Sequence, residues 1–192
     1  MDEESMRILA IPGSLRRDSY NRALLEAARQ LAPERVEVDI YEDGPSIPLF
    51  NQDFEGDLTP LPVLKLRRRI RSADAILIAS PEYNSSIPGV LKNLIDWASR
   101  PYGQSAFSGK PVAVVGASPS RFGAKWAQET TITVLSSAEA NVIGGPHPVC
   151  EVAKSVDADG NIGDEVILRM LSEVVKELAE AAGLPSIPDA PV

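Results

Sequence analysis

Three loops of small, polar and proline residues carry most of the side chains that could do chemistry. The first reads Pro12-Gly13-Ser14-Leu15-Arg16-Arg17-Asp18-Ser19-Tyr20-Asn21. It lies between an apolar run, residues 6–11, and a segment with Leu24, Ala27, Ala28 and Leu31 at helical spacing. Strand, small-residue loop, helix is an arrangement that holds phosphate. Backbone N–H groups converge there, and the helix N-terminus adds partial positive charge. Ser14, Ser19 and Asn21 can add side-chain hydrogen bonds, and Arg16 a charge-assisted one. The loop has neither Gly-x-Gly-x-x-Gly nor Gly-Lys-Ser/Thr, which points away from ATP and towards a single terminal phosphate. On spacing alone, Ser19 or Asn21 serves equally well as a plain helix cap.

The second loop follows the apolar run Ala75-Ile76-Leu77-Ile78-Ala79. It reads Ser80-Pro81-Glu82-Tyr83-Asn84-Ser85-Ser86-Ile87-Pro88 and leads into a helix with Val90, Leu91, Leu94, Ile95 and Ala98 on one face. Pro81 stops the strand, and Pro88 sits where a first helical turn tolerates it. The third loop, Ala117-Ser118-Pro119-Ser120-Arg121-Phe122-Gly123, follows another apolar run, residues 112–116. Loops beyond the carboxyl ends of parallel strands are where open α/β sheets bind ligands.

The elements that must position these loops alternate along the chain. Residues 6–11, 35–41, 75–79, 112–116 and 141–145 read as strands, the second of them half-buried and edge-side. Helices are expected between them, at residues 63–73 and 125–138 among others, and a last one over 164–182 with Ile167, Met170, Leu171, Val174, Leu178 and Ala181 inward. This alternation predicts an α/β fold: a doubly wound, five-stranded parallel sheet in the order 2-1-3-4-5, with helices on both faces. The three loops then meet at one edge. A single domain over residues 1–192 is expected, with 1–5 and 184–192 as flexible tails.

The wording of two loops is specific. Pro81-Glu82-Tyr83-Asn84, continuing into Pro88-Gly89-Val90-Leu91-Lys92-Asn93 and Asp96-Trp97, resembles the NADPH-dependent FMN reductase family, which includes flavodoxin-like quinone, chromate and azo-dye reductases. Gly13-Ser14-Leu15-Arg16 followed by Ser19 and Asn21 is similar to that family's FMN-phosphate loop. The resemblance implies a flavodoxin-like three-layer sandwich and non-covalently bound FMN. It implies a phosphate held by Ser14, Arg16, Ser19 and Asn21, with Tyr20 beside them. It implies a ring lying against Pro81, Glu82, Tyr83 and Asn84, with Ser118 touching the flavin and Gly123 a further contact. It further implies hydride transfer from NADPH or NADH to the flavin, then to a small-molecule acceptor: a quinone, chromate, an azo compound or free flavin. No catalytic side chain is required, because the cofactor carries the chemistry. The family is commonly dimeric or tetrameric. A flavodoxin-type electron carrier and a non-catalytic flavin-binding sensor are the other readings of the same loops.

Composition narrows the rest. A net charge of −8 disfavours a general nucleic-acid binder. No apolar run approaches a membrane span. One histidine and one cysteine give no zinc cluster and no intrachain disulfide, which fits a cytoplasmic address. His147 and Cys150 are assigned no chemistry. Residues 42–62 read as a long, proline-bearing loop, and Arg67, Arg68, Arg69 and Arg71 as a basic run. That run suits a solvated helix face better than a patch for NADPH phosphates. Asp157-Ala158-Asp159-Gly160-Asn161 lacks the remaining calcium-loop ligands and reads as a turn.

Overall fold

The structure is a computed structural model and describes residues 5–184. In chain order the elements are β1 (Met6–Pro12), α1 (Tyr20–Gln30), β2 (Val36–Ile40), α2 (Leu61–Ser72), β3 (Ala75–Ala79), α3 (Gly89–Ala98), β4 (Pro111–Ala117), α4 (Lys125–Ser137), β5 (Asn141–Val142), β6 (His147–Val149) and α5 (Glu165–Ala181). The sheet order is β2-β1-β3-β4-β5, all pairs parallel, as the alternation of strands and helices predicts.

Strand side chains alternate between two apolar clusters. Ile8 and Ala10 of β1, Leu77 of β3 and Val115 of β4 join α1 and α5 on one face. Leu9 and Ile11, Ile76 and Ile78, and Val112 and Val114 join α2, α3 and α4 on the other. Strands covered on both faces read as continuous apolar runs, which is why residues 75–79 are apolar throughout and fully buried. The helix faces shift slightly from expectation. In α3, Val90 is only half-buried and the inward residues include Asn93 and Trp97. In α5, Val175 and Ala179 face the core and Ala181 does not, and Asp164 caps the helix by accepting from the N–H groups of Val166 and Ile167.

The fifth strand departs from the expected residues 141–145. It pairs with β4 at Asn141–Val142, leaves the sheet through Gly144 with φ of 68°, and pairs with β4 again at His147–Val149. Two glycines and a proline supply that detour. The basic run also differs from a solvated face. Arg67 is only 5% exposed, and its Nε donates to the Trp97 carbonyl at 2.9 Å. Arg69 pairs with Asp39, Arg71 reaches the Gln104 carbonyl, and Arg68 alone is plainly exposed without a long-range contact.

The expected loop at 42–62 is ordered by α3. The Pro48 carbonyl accepts from both Asn93 Nδ2 (3.0 Å) and Trp97 Nε1 (2.8 Å), and Asn93 Oδ1 accepts from the Phe50 N–H at 2.7 Å. Phe50 then meets Trp97 edge-on, with centroids 4.9 Å apart. Of the expected tails, only Ser5 and Leu184 lie inside the described residues, and Leu184 packs against the core rather than standing free.

One glycine sets the spacing of the central strands. A Cβ on Gly116 would lie 2.7 Å from the Ser80 carbonyl oxygen and 2.7 Å from Gln128 Nε2. Gly116→Ala is therefore expected to destabilise the fold by about 1–3 kcal/mol, the usual cost of overpacking. Urea unfolding of the two proteins checks this.

Candidate functional site

The three loops do meet at the carboxyl edge of the sheet, and backbone bonds join them. Gly13 N–H donates to the Ala79 carbonyl at 2.8 Å, and Ser80 N–H to the Val115 carbonyl at 2.9 Å. Gly13 permits that close approach: a Cβ there would lie 3.0 Å from the Ala79 oxygen and 3.2 Å from Pro81, tighter than ordinary contact.

In the first loop, Ser14 is buried and its Oγ accepts from Arg16 N–H at 3.2 Å, which folds the loop into a tight turn. Arg16 is exposed and holds only a long contact, 3.4 Å, to the Asp18 carbonyl. Ser19 stands at the N-cap of α1 with extended backbone, yet its side chain makes no capping bond. The first bond of the helix runs from Ala23 N–H to the Ser19 carbonyl. The N–H groups of Tyr20, Asn21 and Arg22 precede it, so the helix has no partner for them. Tyr20 is half-buried against the core. Arg22 is held by Glu42 through both oxygens, at 2.8 and 2.5 Å. That hydrogen-bonded pair pulls the Glu42 carboxyl below the ordinary carboxylate range.

Asn21, expected as a phosphate donor, has its side chain engaged within the protein. It is buried, its Nδ2 donates to the Ala117 carbonyl (3.0 Å), and its Oδ1 accepts from the Ala117 N–H (2.9 Å). The side chain ties the start of α1 to the end of β4, across 96 positions of sequence.

The second loop is a tight reversal. Tyr83 and Ser86 exchange backbone bonds at 3.2 Å, with Asn84 and Ser85 at φ of 51° and 56°. Two successive positive φ values describe a type I′ turn, which suits Asn84 and places Tyr83, Asn84 and Ser85 outward. Pro81 is buried at its base. The Glu82 carboxylate points sideways and accepts from the Ala127 N–H at 3.1 Å, in the first turn of α4. A carboxylate there complements the helix dipole. Glu82 therefore anchors the loop.

In the third loop, Ser118 Oγ bonds within its own turn, donating to Ser120 Oγ and accepting from Ser120 N–H. Gly123 has φ of 58° and packs on Pro148 and Val149 so closely that a Cβ would lie 2.8 Å from Pro148. Ala124 follows with φ of 59° and begins α4. Gln128 is fully buried beneath them. Its Nε2 donates to the Gly123 carbonyl at 3.1 Å, and its Oε1 accepts from the His147 N–H at 2.7 Å. Gln128, Thr131 and Leu135 stand at i, i+3 and i+7 of one helix face, so their shared inward direction was readable from spacing.

Two open grooves border the first loop. One, of about 360 Å³, runs between Ser14, Arg16 and the turn after β2 at Tyr41 and Glu42. The other, of about 270 Å³, runs from Ser19 and Tyr20 to the turn at Asp159–Asn161. That turn is held by Asp157 Oδ1 accepting from the Asp159 and Asn161 N–H groups.

The model of the NADPH-dependent FMN reductase family matches residues 6–154. The chain belongs to that family. Membership carries the fold class, the cofactor and the reaction class: flavodoxin-like, FMN, and NAD(P)H-dependent oxidoreduction. Among curated reductases, the chain is similar to a 2-hydroxy-1,4-benzoquinone reductase of Burkholderia sp, 38% identical over 176 residues that cover 91% of this chain and 95% of the relative. It is 40% identical to an NAD(P)H-dependent FMN reductase of Pseudomonas aeruginosa, covering 91% and 94% of the two chains. Among solved structures, FerB from Paracoccus denitrificans, a flavoenzyme NAD(P)H:(acceptor) oxidoreductase, superposes with a TM-score of 0.80 at 36% identity. The match covers 92% of this chain and 97% of that one.

Two outcomes are expected from this geometry. Replacing Asn21 with leucine leaves the buried N–H and carbonyl of Ala117 without that partner, and stability in urea should fall by roughly 2–4 kcal/mol. Burial also holds the His147 imidazole below its ordinary value, against the opposing pull of Glu177 and Glu173. The unfolded chain then takes up a proton that the folded chain resists, so stability should fall as pH drops below about 6.5. His147→Gln should flatten that slope, as measured by thermal melts across pH 5–8.

Proposed function

We propose that this reductase holds FMN across the three joined loops and reduces small quinones. The observation that carries the reading is the group of unengaged donors at the first loop. The opening turn of α1 presents N–H groups without helix partners, the Ser19 hydroxyl is not engaged as a cap, and Arg16 is exposed beside them. These groups fit a terminal phosphate. Ser14 shapes the turn and Asn21 fixes its distance from β4. In the second loop, the N–H groups of Asn84 and Ser85 lie at the tip, outside the Tyr83–Ser86 pairing, and suit the edge of a planar ring. Tyr83 supplies exposed apolar surface beside it, buried Pro81 fixes the base of the loop, and Glu82 holds the loop against α4. Ser118 borders the ring from the third loop, its hydroxyl already fixed by Ser120.

Bound FMN supplies the redox chemistry, taking a hydride from NAD(P)H and passing electrons on to the acceptor. The chain's own contribution is to orient the ring and set its electrostatics. Backbone N–H groups directed at the ring edge favour negative charge there. No side-chain acid or base is needed. A quinone is the acceptor class favoured by the likeness to the benzoquinone reductase.

The same reading takes the chain as one domain that works in the cytoplasm, where a diffusing nicotinamide nucleotide is its donor, with neither nucleic acid nor membrane as partner. It works as a homodimer or homotetramer, and the exposed apolar side chains Leu49, Phe54, Leu58, Leu61 and Leu64 support such contacts.

Anaerobic NADPH should bleach the visible flavin bands of the FMN-loaded protein, and benzoquinone should restore them. Flavin that binds but does not bleach would instead indicate an electron carrier. FMN should also bind at least tenfold more tightly than riboflavin. Arg16→Ala should weaken FMN about tenfold, or roughly 1.4 kcal/mol, with little change for riboflavin. Equal affinities for the two flavins in the wild type would count against the phosphate site.

A further inference from the structure

Beside the third loop stand two aromatic side chains that the account so far does not use. Phe122 and Trp126 are 41% and 39% exposed, and their rings lie 4.7 Å apart at 49°. The Arg121 guanidinium sits 4.8 Å from the centre of the Phe122 ring. A cation held over an aromatic face is a favourable but partly hydrated contact at an exposed site, and the guanidinium keeps donors for an anion.

The pair is built on a fixed base. Ser120 Oγ accepts from the Phe122 N–H (3.3 Å), and the Ser120 carbonyl accepts from the Glu151 N–H (3.0 Å). Gly123 packs on the Pro148–Val149 backbone and is bonded by Gln128. Such a surface loses little conformational freedom when a ligand lands on it. Its place is also fixed: Trp126 adjoins Ala127, whose N–H bonds Glu82, and Glu82 adjoins the half-exposed Tyr83. The aromatic pair therefore stands at the rim of the loops that hold the ring in the proposed function.

Resting on that reading, we propose that Phe122, Trp126 and Arg121 form a second subsite, which stacks a planar aromatic group bearing an anionic substituent. The rings take the plane and the guanidinium takes the charge. The net charge of −8 does not oppose this, because contacts within a few ångströms outweigh charges screened beyond about 8–10 Å. Lys125 adds a second cation at the rim, loosely paired to Glu129 at 3.7 Å. The aromatic anion has two sources: the adenosine phosphate end of the electron donor, or an acceptor ring carrying a sulfonate.

The test uses FMN-loaded wild type, Arg121→Gln and Trp126→Leu, with NADPH and NADH as donors. Benzoquinone and an anthraquinone sulfonate serve as acceptors, and size-exclusion chromatography accompanies the kinetics. The variants should retain FMN. If the subsite serves the acceptor, both should raise KM for the anthraquinone sulfonate five- to tenfold and leave KM for benzoquinone unchanged. If it serves the donor, KM for NADPH, or for both nucleotides, should rise by that factor with either acceptor. Unchanged KM values in variants that hold and turn over FMN would overturn the subsite and leave the reductase reading intact. Unchanged KM values with an altered oligomeric state would overturn it in favour of a contact between copies. A wild-type protein that binds no FMN would overturn the underlying reading, and the subsite with it.

Discussion

The site depends on one buried amide. Asn21 reaches from the first turn of α1 to the last residue of β4 and satisfies both polar groups of Ala117. A typical buried hydrogen bond contributes about 1 kcal/mol net, but leaving its partner unmatched costs more. The pairing therefore acts chiefly as a constraint on geometry. It fixes the first loop relative to the third, while Gly13 and Gly116 let the intervening β3 loop approach both. The carboxyl edge becomes one connected surface rather than three neighbouring turns.

Around that surface, charged and polar side chains divide between support and contact. Glu82, Gln128, Ser118 and Asn21 all bond to the protein itself. Arg16 is exposed, while the Ser19 hydroxyl makes no capping bond and the first N–H groups of α1 have no helix partner. This division suits an enzyme whose cofactor performs the chemistry. The protein needs rigid anchors for the loops and a few unengaged donors for the ligand, and a perturbed acid or base would add nothing to hydride transfer.

Much of this was legible in the sequence. The apolar runs 75–79 and 112–116 marked buried strands, because a parallel sheet covered on both faces has no polar side. The order 2-1-3-4-5 followed from alternation, and the two loop motifs pointed to the family. What the sequence hid is where each side chain turns. Asn21 and Ser19 are equally polar and two positions apart, yet one is buried in a tertiary bond and the other sits unengaged at the helix start. Arg67 looks like its arginine neighbours and is buried under Trp97. The fifth strand broke at Gly144 because its backbone turns left-handed there, which periodicity does not register. In each case a long-range contact overrides a local pattern.

The most direct test is amide hydrogen exchange with and without FMN. If the three loops form one flavin site, protection should rise together at residues 13–22, 80–87 and 117–124, with the rest of the sheet unchanged. Protection confined to the groove between α1 and the 156–162 turn, or absent from the second and third loops, would contradict the account.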